Sequence, residues 1–320
     1  MKILITGASG FVGSTAARTF DAKGWDVLAQ SRQPGRTTPA SPGIQHVTAL
    51  LADPAALATH LRGAQAVLHT AARVHQVSDS ASNPLQLYRQ VNTEQTLALA
   101  LLAAQQGVKR FVFLSSVKVN GEWSAPGQPL TADGPTQPTD PYGISKCEAE
   151  AGLRAMALQT GMEVVIVRPP LVYGPGVKAN FLSMMQWLQR GIPLPLGAIH
   201  NQRSLVGLGN LVDLLEKCCT YPAAANQTFL VSDGQDVSIT ELLYALAHAL
   251  KVKPRLIPLP QWVLEGTLSL LGRKGMAQRL CGNLAVDIEK TRTLLDWTPP
   301  YSVAQGLEAT AAHYLATRQR

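Results

Sequence analysis

The sequence has few of the features that mark secreted, disordered or membrane-spanning proteins. Its four cysteines form neither a CxxC pair nor a framework of regularly spaced pairs, as expected of a reduced protein. Charged residues make up 15% of the chain and hydrophobic residues 46%, which is too apolar for a disordered chain. No apolar stretch of about 18 residues lacks charges or turn residues, so no membrane span is expected. We therefore expect a folded, cytoplasmic protein.

Basic residues are in only slight excess over acidic residues. Lys and Arg number 28 and Asp and Glu 21, which gives a formal net charge of +7. The excess is spread along the chain, without the basic run typical of a nucleic-acid-binding arm. An anionic small molecule is the favoured partner, and nucleic acid is not expected. No spacing of His, Cys and Asp indicates a metal site.

Short apolar runs alternate with longer helical patterns through the first half of the chain. Continuous runs rich in Val, Ile and Leu are typical of strands buried on both faces. The strand-like runs are Lys2–Thr6, Asp26–Gln30, Ala66–Thr70, Phe111–Ser115, Glu163–Arg168 and, after a long gap, Thr228–Ser232. Helical patterns cover Leu85–Gln106 and Tyr142–Thr160. The alternation predicts an α/β fold with a doubly wound parallel Rossmann sheet.

Proline and glycine become frequent from Pro169 onward, which indicates loops and short elements. We predict a dinucleotide-binding domain over residues 1–168, with a return segment at about 205–232. A smaller, mixed substrate-binding domain is predicted over residues 169–320. The segment Gln33–Gly43 is predicted to be a surface loop.

A GxxGxxG motif follows the first predicted strand and opens a helical pattern. Gly7 permits a tight turn, Gly10 allows the backbone to approach a pyrophosphate, and Gly13 allows close packing of helix on strand. The helix N-terminus offers free N–H groups to phosphates. The motif therefore predicts a bound dinucleotide.

The end of the second predicted strand bears on which dinucleotide is bound. An NAD site usually has Asp or Glu there to hold the ribose hydroxyls. This chain has Gln30, Ser31 and Arg32, and a guanidinium can pair with a 2′-phosphate. We therefore predict NADP(H) in preference to NAD(H); the alternative is that Arg32 is a solvated loop charge.

A Tyr–Lys pair lies four residues apart at Tyr142 and Lys146, behind an apparent N-cap, Asp140, and a first-turn proline, Pro141. The two side chains should share one helix face. A neighbouring ammonium is expected to lower the pKa of the phenol, which could then exchange a proton with a substrate oxygen. Ser116, directly after the fourth apolar run, is the predicted hydrogen-bond donor to that oxygen.

Taken together, these motifs resemble the extended short-chain dehydrogenase/reductases, over nearly the whole chain. The resemblance is carried by the following segments: Gly7/Gly10/Gly13, His69–Ala72, Val91–Asn92, Ser115–Ser116, Tyr142/Lys146, Arg168–Gly176 and Asp287–Trp297. Within that family the chain looks most like nucleotide-sugar enzymes, namely 4-epimerases and bacterial 4-keto reductases that form UDP-N-acetylquinovosamine. Segments 115–122 and 197–205 carry the likeness to the reductases.

The resemblance implies roles for individual residues. Ser116, Tyr142 and Lys146 are the implied catalytic residues, and a homodimer through the two long helices is the implied assembly. The predicted cofactor contacts are Gly7, Ser9, Gly10, Phe11, Val12, Gly13, Ser31, Arg32, Leu51, Ala71, Ala72, Lys146, Pro169 and Leu171. The predicted substrate contacts are Lys118, Asn180, Phe181, His200 and Arg203, the last at a diphosphate. Lys118 has a second interpretation as part of a loop salt bridge with Glu122.

Departures from the family pattern limit which of the family's reactions are expected of this chain. Sugar 4,6-dehydratases carry Asp-Glu after the catalytic hydroxyl, and this chain has Val117 and Lys118, so dehydration is not expected. The expected activity is NAD(P)H-dependent reduction of the C4 keto group of a UDP-4-keto-6-deoxy-N-acetylhexosamine, in bacterial surface-polysaccharide synthesis. The alternatives are a 4-epimerase that retains NAD and, in another class, an NADP-binding sensor or scaffold without turnover.

One apolar segment near the C-terminus has two interpretations. Gln261–Leu271 contains Trp262 and leucines at helical spacing. A packed helix or lid of the substrate domain is expected. The alternative is an amphipathic helix that binds a surface.

Overall fold

A parallel sheet of seven strands forms the centre of the protein, whose computed structural model describes residues 1–33, 43–74 and 83–318. The strand order is β3-β2-β1-β4-β5-β6-β9, and each neighbouring pair is parallel. The strands of this sheet are β1 (Lys2–Thr6), β2 (Asp26–Ser31), β3 (Ile44–Thr48), β4 (Ala66–His69), β5 (Arg110–Leu114), β6 (Glu163–Arg168) and β9 (Thr228–Leu230). A small second sheet pairs β7 (Leu171–Tyr173) with β8 (Leu205–Gly207). The predicted α/β Rossmann fold is confirmed.

Helices cover both faces of the main sheet and build the C-terminal part. They are α1 (Phe11–Ala22), α2 (Ala58–Leu61), α3 (Pro84–Tyr88), α4 (Gln95–Gln105), α5 (Pro141–Thr160), α6 (Ala179–Gln189), α7 (Leu208–Thr220), α8 (Ile239–Ala249), α9 (Gln261–Leu270), α10 (Lys274–Cys281), α11 (Glu289–Leu295) and α12 (Val303–Arg318). A π-helical stretch, Arg89–Glu94, joins α3 to α4, so the predicted helix over residues 85–106 is continuous but wound differently in its middle. In the part of the chain that the structure describes, no helix is long and apolar enough to cross a membrane.

The central strands are buried on both faces, which explains their unbroken apolar sequences. Strand β3 lies at the edge, where Ile44 and Val47 point inward and the residues between them are exposed. Such an edge strand does not produce a continuous apolar run. Between β1 and β4 the chain turns from one half of the sheet to the other. In folds of this kind ligands bind in the crevice at that point, outside the carboxyl ends of the strands.

The segment predicted to return to the sheet does so only through β9. Strand β8 pairs with β7 instead, and helix α7, which follows it, packs against α1. A hydrophobic cluster distinct from those around the sheet draws on residues from Tyr173 to Tyr314. The domain boundary at residue 168 remains a prediction, as does the predicted homodimer. Residues 34–42 of the predicted loop lie outside the described residues.

Candidate active site

The glycine motif forms a tight turn between β1 and α1. Gly7 has φ of +67°, and a Cβ atom there would lie 2.8 Å from Cα and N of Ala71. A Cβ on Gly13 would lie 2.4 Å from the carbonyl oxygen of Gly7 and 2.6 Å from Oγ1 of Thr70. Side chains at either position would separate β1, α1 and the end of β4. The two glycines therefore bring three backbone segments together at the crevice.

The N-terminus of α1 fits a diphosphate. Its N-cap, Gly10, provides no side-chain cap for the first-turn N–H groups, and Ser9 and Gly10 are exposed. Uncapped N–H groups and the positive end of the helix dipole both favour an anion. Phe11, Val12 and Gly13 supply the first-turn N–H groups that would hold a dinucleotide.

The end of β2 is organised by an amide side chain. Oε1 of Gln30 accepts a hydrogen bond from the backbone N–H of Gly7 at 3.1 Å, and its Nε2 donates to the carbonyl of Ala49 at 2.6 Å. Ser31 is buried and donates to the carbonyl of Gln33, whereas Arg32 is exposed. Gln30 thus holds the glycine turn, and Arg32 is the charged group at this edge. Leu51, another predicted cofactor contact, is buried in the core on this side of the sheet.

The loop after β4 is held by Asn92, whose role sequence reasoning missed. Its Oδ1 accepts from the N–H of Arg73 at 2.8 Å, and its Nδ2 donates to the carbonyl of Arg73 at 3.1 Å and to Oγ of Ser145 at 3.0 Å. Ala71 and Ala72, the predicted cofactor contacts, lie in this loop and are half-buried. Asn92 sits in the π-helical stretch, and π-bulges are frequent at functional sites.

Helix α5 carries the Tyr–Lys pair, and its N-terminus is capped as expected. Oδ1 of Asp140 accepts from the N–H of Gly143 at 2.6 Å, and Pro141 occupies the first turn. The ammonium of Lys118 binds both Oδ2 of Asp140 and Oε1 of Glu122. Lys118 therefore ties the segment after β5 to the start of α5, which agrees with its interpretation as a loop salt bridge; its predicted contact with substrate stays a prediction.

The three predicted catalytic residues meet beside the carboxyl end of β5. Ser116 lies close enough to the hydroxyl of Tyr142 to lower its pKa. Lys146, one turn further along α5, is buried, donates to the carbonyl of Leu114 at 2.8 Å, and lies 4.3 Å from the ring centroid of Phe113. The arrangement places one acid–base group and one hydroxyl donor over the same point of the crevice.

The charges of this group differ from the sequence-based expectation. The pKa of Tyr142 is raised above its usual value, mainly by burial and then by the negative charge of Asp140, while Ser116 acts in the opposite direction. Lys146 was expected to lower it, but burial brings the pKa of Lys146 itself down to about 7, with Glu150 acting in the opposite direction. The reason is that both side chains are desolvated. Tyr142 is therefore the neutral phenol, a proton donor, at neutral pH.

A buried ion pair behind Lys146 was also missed. Arg168 at the end of β6 forms a fork with Glu150, with Nε to Oε1 at 2.9 Å and a terminal nitrogen to Oε2 at 2.5 Å. Oε1 of Glu150 also accepts from Oγ of Ser115 at 2.6 Å. The pair joins α5 to β5 and β6 under the catalytic residues. Its two partners lie 18 residues apart on different elements, so no local spacing in the sequence could have revealed the pair.

Comparisons with known proteins agree with this geometry. Residues 3–226 match the model of the NAD dependent epimerase/dehydratase family. The chain belongs to this family.

Three members show how far the likeness extends. The chain is 43% identical, over 320 residues, to a UDP-glucose 4-epimerase of Vibrio cholerae, covering 100% of this chain and 97% of that protein. It is 28% identical to the N-acetyl-alpha-D-glucosaminyl-diphospho-ditrans,octacis-undecaprenol 4-epimerase of Escherichia coli O157:H7, covering 97% and 94%. The crystal structure of a Thermotoga maritima UDP-glucose 4-epimerase superposes with a TM-score of 0.80 at 22% identity, covering 99% and 100%. The predicted resemblance is confirmed, and the protein is an enzyme of the nucleotide-sugar epimerase/dehydratase type.

The remaining predicted residues of this family member lie on the C-terminal side of the sheet. Pro169 is buried at the end of β6 and Leu171 is exposed in β7. Asn180 is exposed in the first turn of α6, whereas Phe181 is buried and stacks on Tyr173 with ring centroids 5.5 Å apart. Their predicted contacts stay predictions.

Arg203 and His200 lie on the segment that precedes β8. His200 is exposed. Arg203 donates to the carbonyl of Gly282 at 3.0 Å, and burial lowers its pKa. Within the described residues, no carboxylate lies within salt-bridge distance of Arg203, so the structure leaves its charge without an anionic neighbour. Such a guanidinium suits a diphosphate.

Among the described residues, no group of His, Cys, Asp and Glu could hold a metal ion. Cys218, Cys219 and Cys281 are buried, and Cys147 is half-buried. Burial raises the pKa of Cys281 to about 11 and that of Cys218 to about 12. These thiols are therefore protonated at neutral pH.

Proposed function

We propose that the protein reduces the C4 keto group of a UDP-4-keto-6-deoxy-N-acetylhexosamine, to UDP-N-acetylquinovosamine or its C4 epimer. The observation that carries this proposal is that neutral Tyr142 lies beside Ser116 at the crevice. In addition, Lys118 occupies the position at which dehydratases of the family have an acid. One proton donor and one hydroxyl suffice for redox chemistry at a single carbon. The ammonium of Lys118 is engaged by Asp140 and Glu122, so this position offers no acid for the elimination of water.

The residues have separate tasks in this reaction. When bound, the dihydronicotinamide supplies the hydride to C4. Ser116 donates a hydrogen bond to the C4 oxygen, and Tyr142 delivers the proton, so that the carbonyl becomes a secondary alcohol. Lys146, once beside the resulting phenolate, stabilises that charge as an ammonium. Arg203 binds the diphosphate of the substrate through its guanidinium.

NADPH is the proposed reductant. The end of β2 offers Ser31, whose hydroxyl is turned to Gln33, and the exposed guanidinium of Arg32. A carboxylate that would hold the ribose hydroxyls of NAD is missing from residues 30–33. NAD(H) is the alternative, because the family description names NAD.

The variant Arg32→Asp tests this choice of cofactor. We expect the ratio of kcat/KM for NADPH to that for NADH to fall by about tenfold or more, because a carboxylate repels the 2′-phosphate. Arg18→Asp, a charge reversal at an exposed residue of α1, is the control. An unchanged ratio in Arg32→Asp would show that Arg32 does not contact the 2′-phosphate.

A second candidate is a UDP-hexose or UDP-N-acetylhexosamine 4-epimerase that retains NAD. The name of the Vibrio cholerae relative, 43% identical over the full chain, favours it. The same three residues would serve, with Tyr142 first accepting the proton from the C4 hydroxyl and then returning it.

One assay separates the candidates. The purified chain is mixed with UDP-4-keto-6-deoxy-N-acetylglucosamine and NADPH or NADH, the reduced nicotinamide is followed by absorbance, and the sugar is identified by NMR. Stoichiometric consumption with a new C4 alcohol supports the reductase. No consumption, together with interconversion of UDP-GlcNAc and UDP-GalNAc or of UDP-glucose and UDP-galactose without added cofactor, supports the epimerase. Tight cofactor binding without turnover of any nucleotide sugar would favour the sensor or scaffold.

A further inference from the structure

Large apolar side chains are exposed on one helical hairpin of the C-terminal part. Helices α9 and α10 and the turn between them, residues 261–281, form this hairpin. Around its turn, Leu270 is 91% exposed, Leu271 66% and Met276 46%. Trp262 is 75% exposed at the start of α9, about 12 Å along the helix from Leu270 at 1.5 Å per residue. Apolar side chains grouped on one exposed element typically mark an interaction site.

The hairpin is amphipathic, because its opposite side is packed against the protein. Leu264, Ala277 and Cys281 are buried, and Leu268 and Leu280 pack against the C-terminal hydrophobic cluster. The element is therefore anchored by one set of apolar residues and exposes another. This division is compatible with both sequence-based interpretations, a packed helix or lid of the substrate domain and an amphipathic helix that binds a surface.

Basic residues accompany the exposed apolar ones. The segment 261–281 contains Arg273, Lys274 and Arg279 against a single acidic residue, Glu265. Arg273 and Arg279 are exposed, and the carboxylate of Glu265 accepts a hydrogen bond from Gln261 at 2.8 Å. Basic residues beside exposed Leu and Trp are the pattern of helices that lie in the interface of an anionic bilayer.

We propose that this hairpin docks the protein on the surface of an anionic phospholipid bilayer. Trp262 lies at the depth of the headgroups and Leu270, Leu271 and Met276 enter the acyl boundary, while Arg273 and Arg279 bind lipid phosphates. Charge favours this occupant over a second copy of the chain. In a symmetric contact both copies present the same segment, whose single acidic residue cannot pair with all of its basic residues.

The hairpin is joined directly to the candidate substrate site. Gly282, the residue after α10, accepts hydrogen bonds from Arg203 at 3.0 Å and from Nδ2 of Asn201 at 2.9 Å. Nδ2 of Asn201 also donates to the carbonyl of Leu280 at 3.1 Å. Docking would therefore hold the segment that carries His200 and Arg203 close to the membrane. The inference does not depend on which sugar the enzyme converts.

Vesicle co-sedimentation of the full chain tests the proposal. We expect binding to vesicles of phosphatidylcholine with phosphatidylglycerol, at least tenfold weaker binding to phosphatidylcholine alone, and weakening by added salt. Leu270→Ser/Leu271→Ser should reduce binding at least tenfold. Leu158→Ser, at a residue of α5 that is 90% exposed, is the matched control and should bind as the parent does.

A second variant keeps the proposal falsifiable if the double serine variant misfolds. Arg273→Glu/Arg279→Glu alters only exposed charges and should abolish the preference for anionic vesicles. Failure of the parent chain to bind either vesicle would overturn the proposal, as would equal losses in Leu158→Ser and Leu270→Ser/Leu271→Ser. A dimer in solution that Leu270→Ser/Leu271→Ser dissociates would assign the surface to a second copy instead.

Discussion

Helix α5 and the α9–α10 hairpin use their side chains in opposite ways. On α5, Lys146 and Glu150 are buried and each polar atom has a partner on β5 or β6. On the hairpin, the large side chains of Trp262 and Leu270 are exposed. The first element is held rigidly by buried charges, and the second leaves apolar surface without a partner in the described chain.

The difference indicates what each region is built to do. Buried ion pairs rarely add net stability over an apolar core, so their presence under Tyr142 favours a positioning role. Exposed apolar residues that are grouped on one element mark an interaction site, whereas single ones need no explanation. The catalytic region therefore needs fixed geometry, whereas the hairpin needs an accessible surface.

The largest expected effect lies in the rigid region. Tyr142→Phe removes the proton donor without changing the shape of the site, and kcat should fall ~10²–10⁴-fold. Binding of the dinucleotide, measured by fluorescence titration, should remain within a factor of about two, since the glycine turn is untouched. A kcat close to that of the parent would remove Tyr142 from the acid–base role.

Glu150→Ala tests whether the buried pair supports this rigidity. It leaves Arg168 buried without its partner, and the free energy of unfolding should fall by about 3–5 kcal/mol. Glu148→Ala, also on α5, is the control, because Glu148 pairs with Arg89 at the exposed surface. Its effect in urea denaturation should be much smaller, since solvent screens that pair. Equal effects of the two substitutions would contradict the comparison.

The pH dependence of stability offers a third measurement. In the folded chain the pKa of Lys146 is about 7 and in the unfolded chain about 10.5, so the unfolded state binds more protons between these values. The free-energy cost of burying the Lys146 side chain therefore applies in full below pH 7 and decreases as pH rises toward 10.5. Stability relative to Lys146→Met should rise across this window. A flat difference between the two proteins in urea denaturation from pH 7 to 10 would show that Lys146 is not desolvated.

The smallest effect is expected at the hairpin. Leu270→Ser/Leu271→Ser should change the free energy of unfolding by no more than about 0.5 kcal/mol, because both side chains are already exposed. The kcat on a water-soluble nucleotide sugar should be unchanged. A large loss of stability would mean that these leucines pack in solution, and the contrast with α5 would disappear.

Much of the fold and part of the site could be predicted because the signals are local. Continuous apolar runs mark β1, β4, β5 and β6, since those strands are buried on both faces. The edge strand β3 has no such run, and the pairing of β8 with β7 depends on partners distant in the chain. Asp140 was recognised as the cap of α5 because capping depends on residues three apart.

The sequence by itself determined the fold class, through the alternation of apolar runs and helical patterns. It also determined the group of reacting residues, through the order of the glycines, Ser116, Tyr142 and Lys146. Both signals are local, because turn geometry and helix periodicity depend on neighbouring residues. Only the tertiary structure decided which charges are desolvated. It raised the pKa of Tyr142, brought that of Lys146 to about 7 and joined Glu150 to Arg168. It also left Leu270 exposed. Burial is a property of the packed chain, and residues far apart in the sequence determine it.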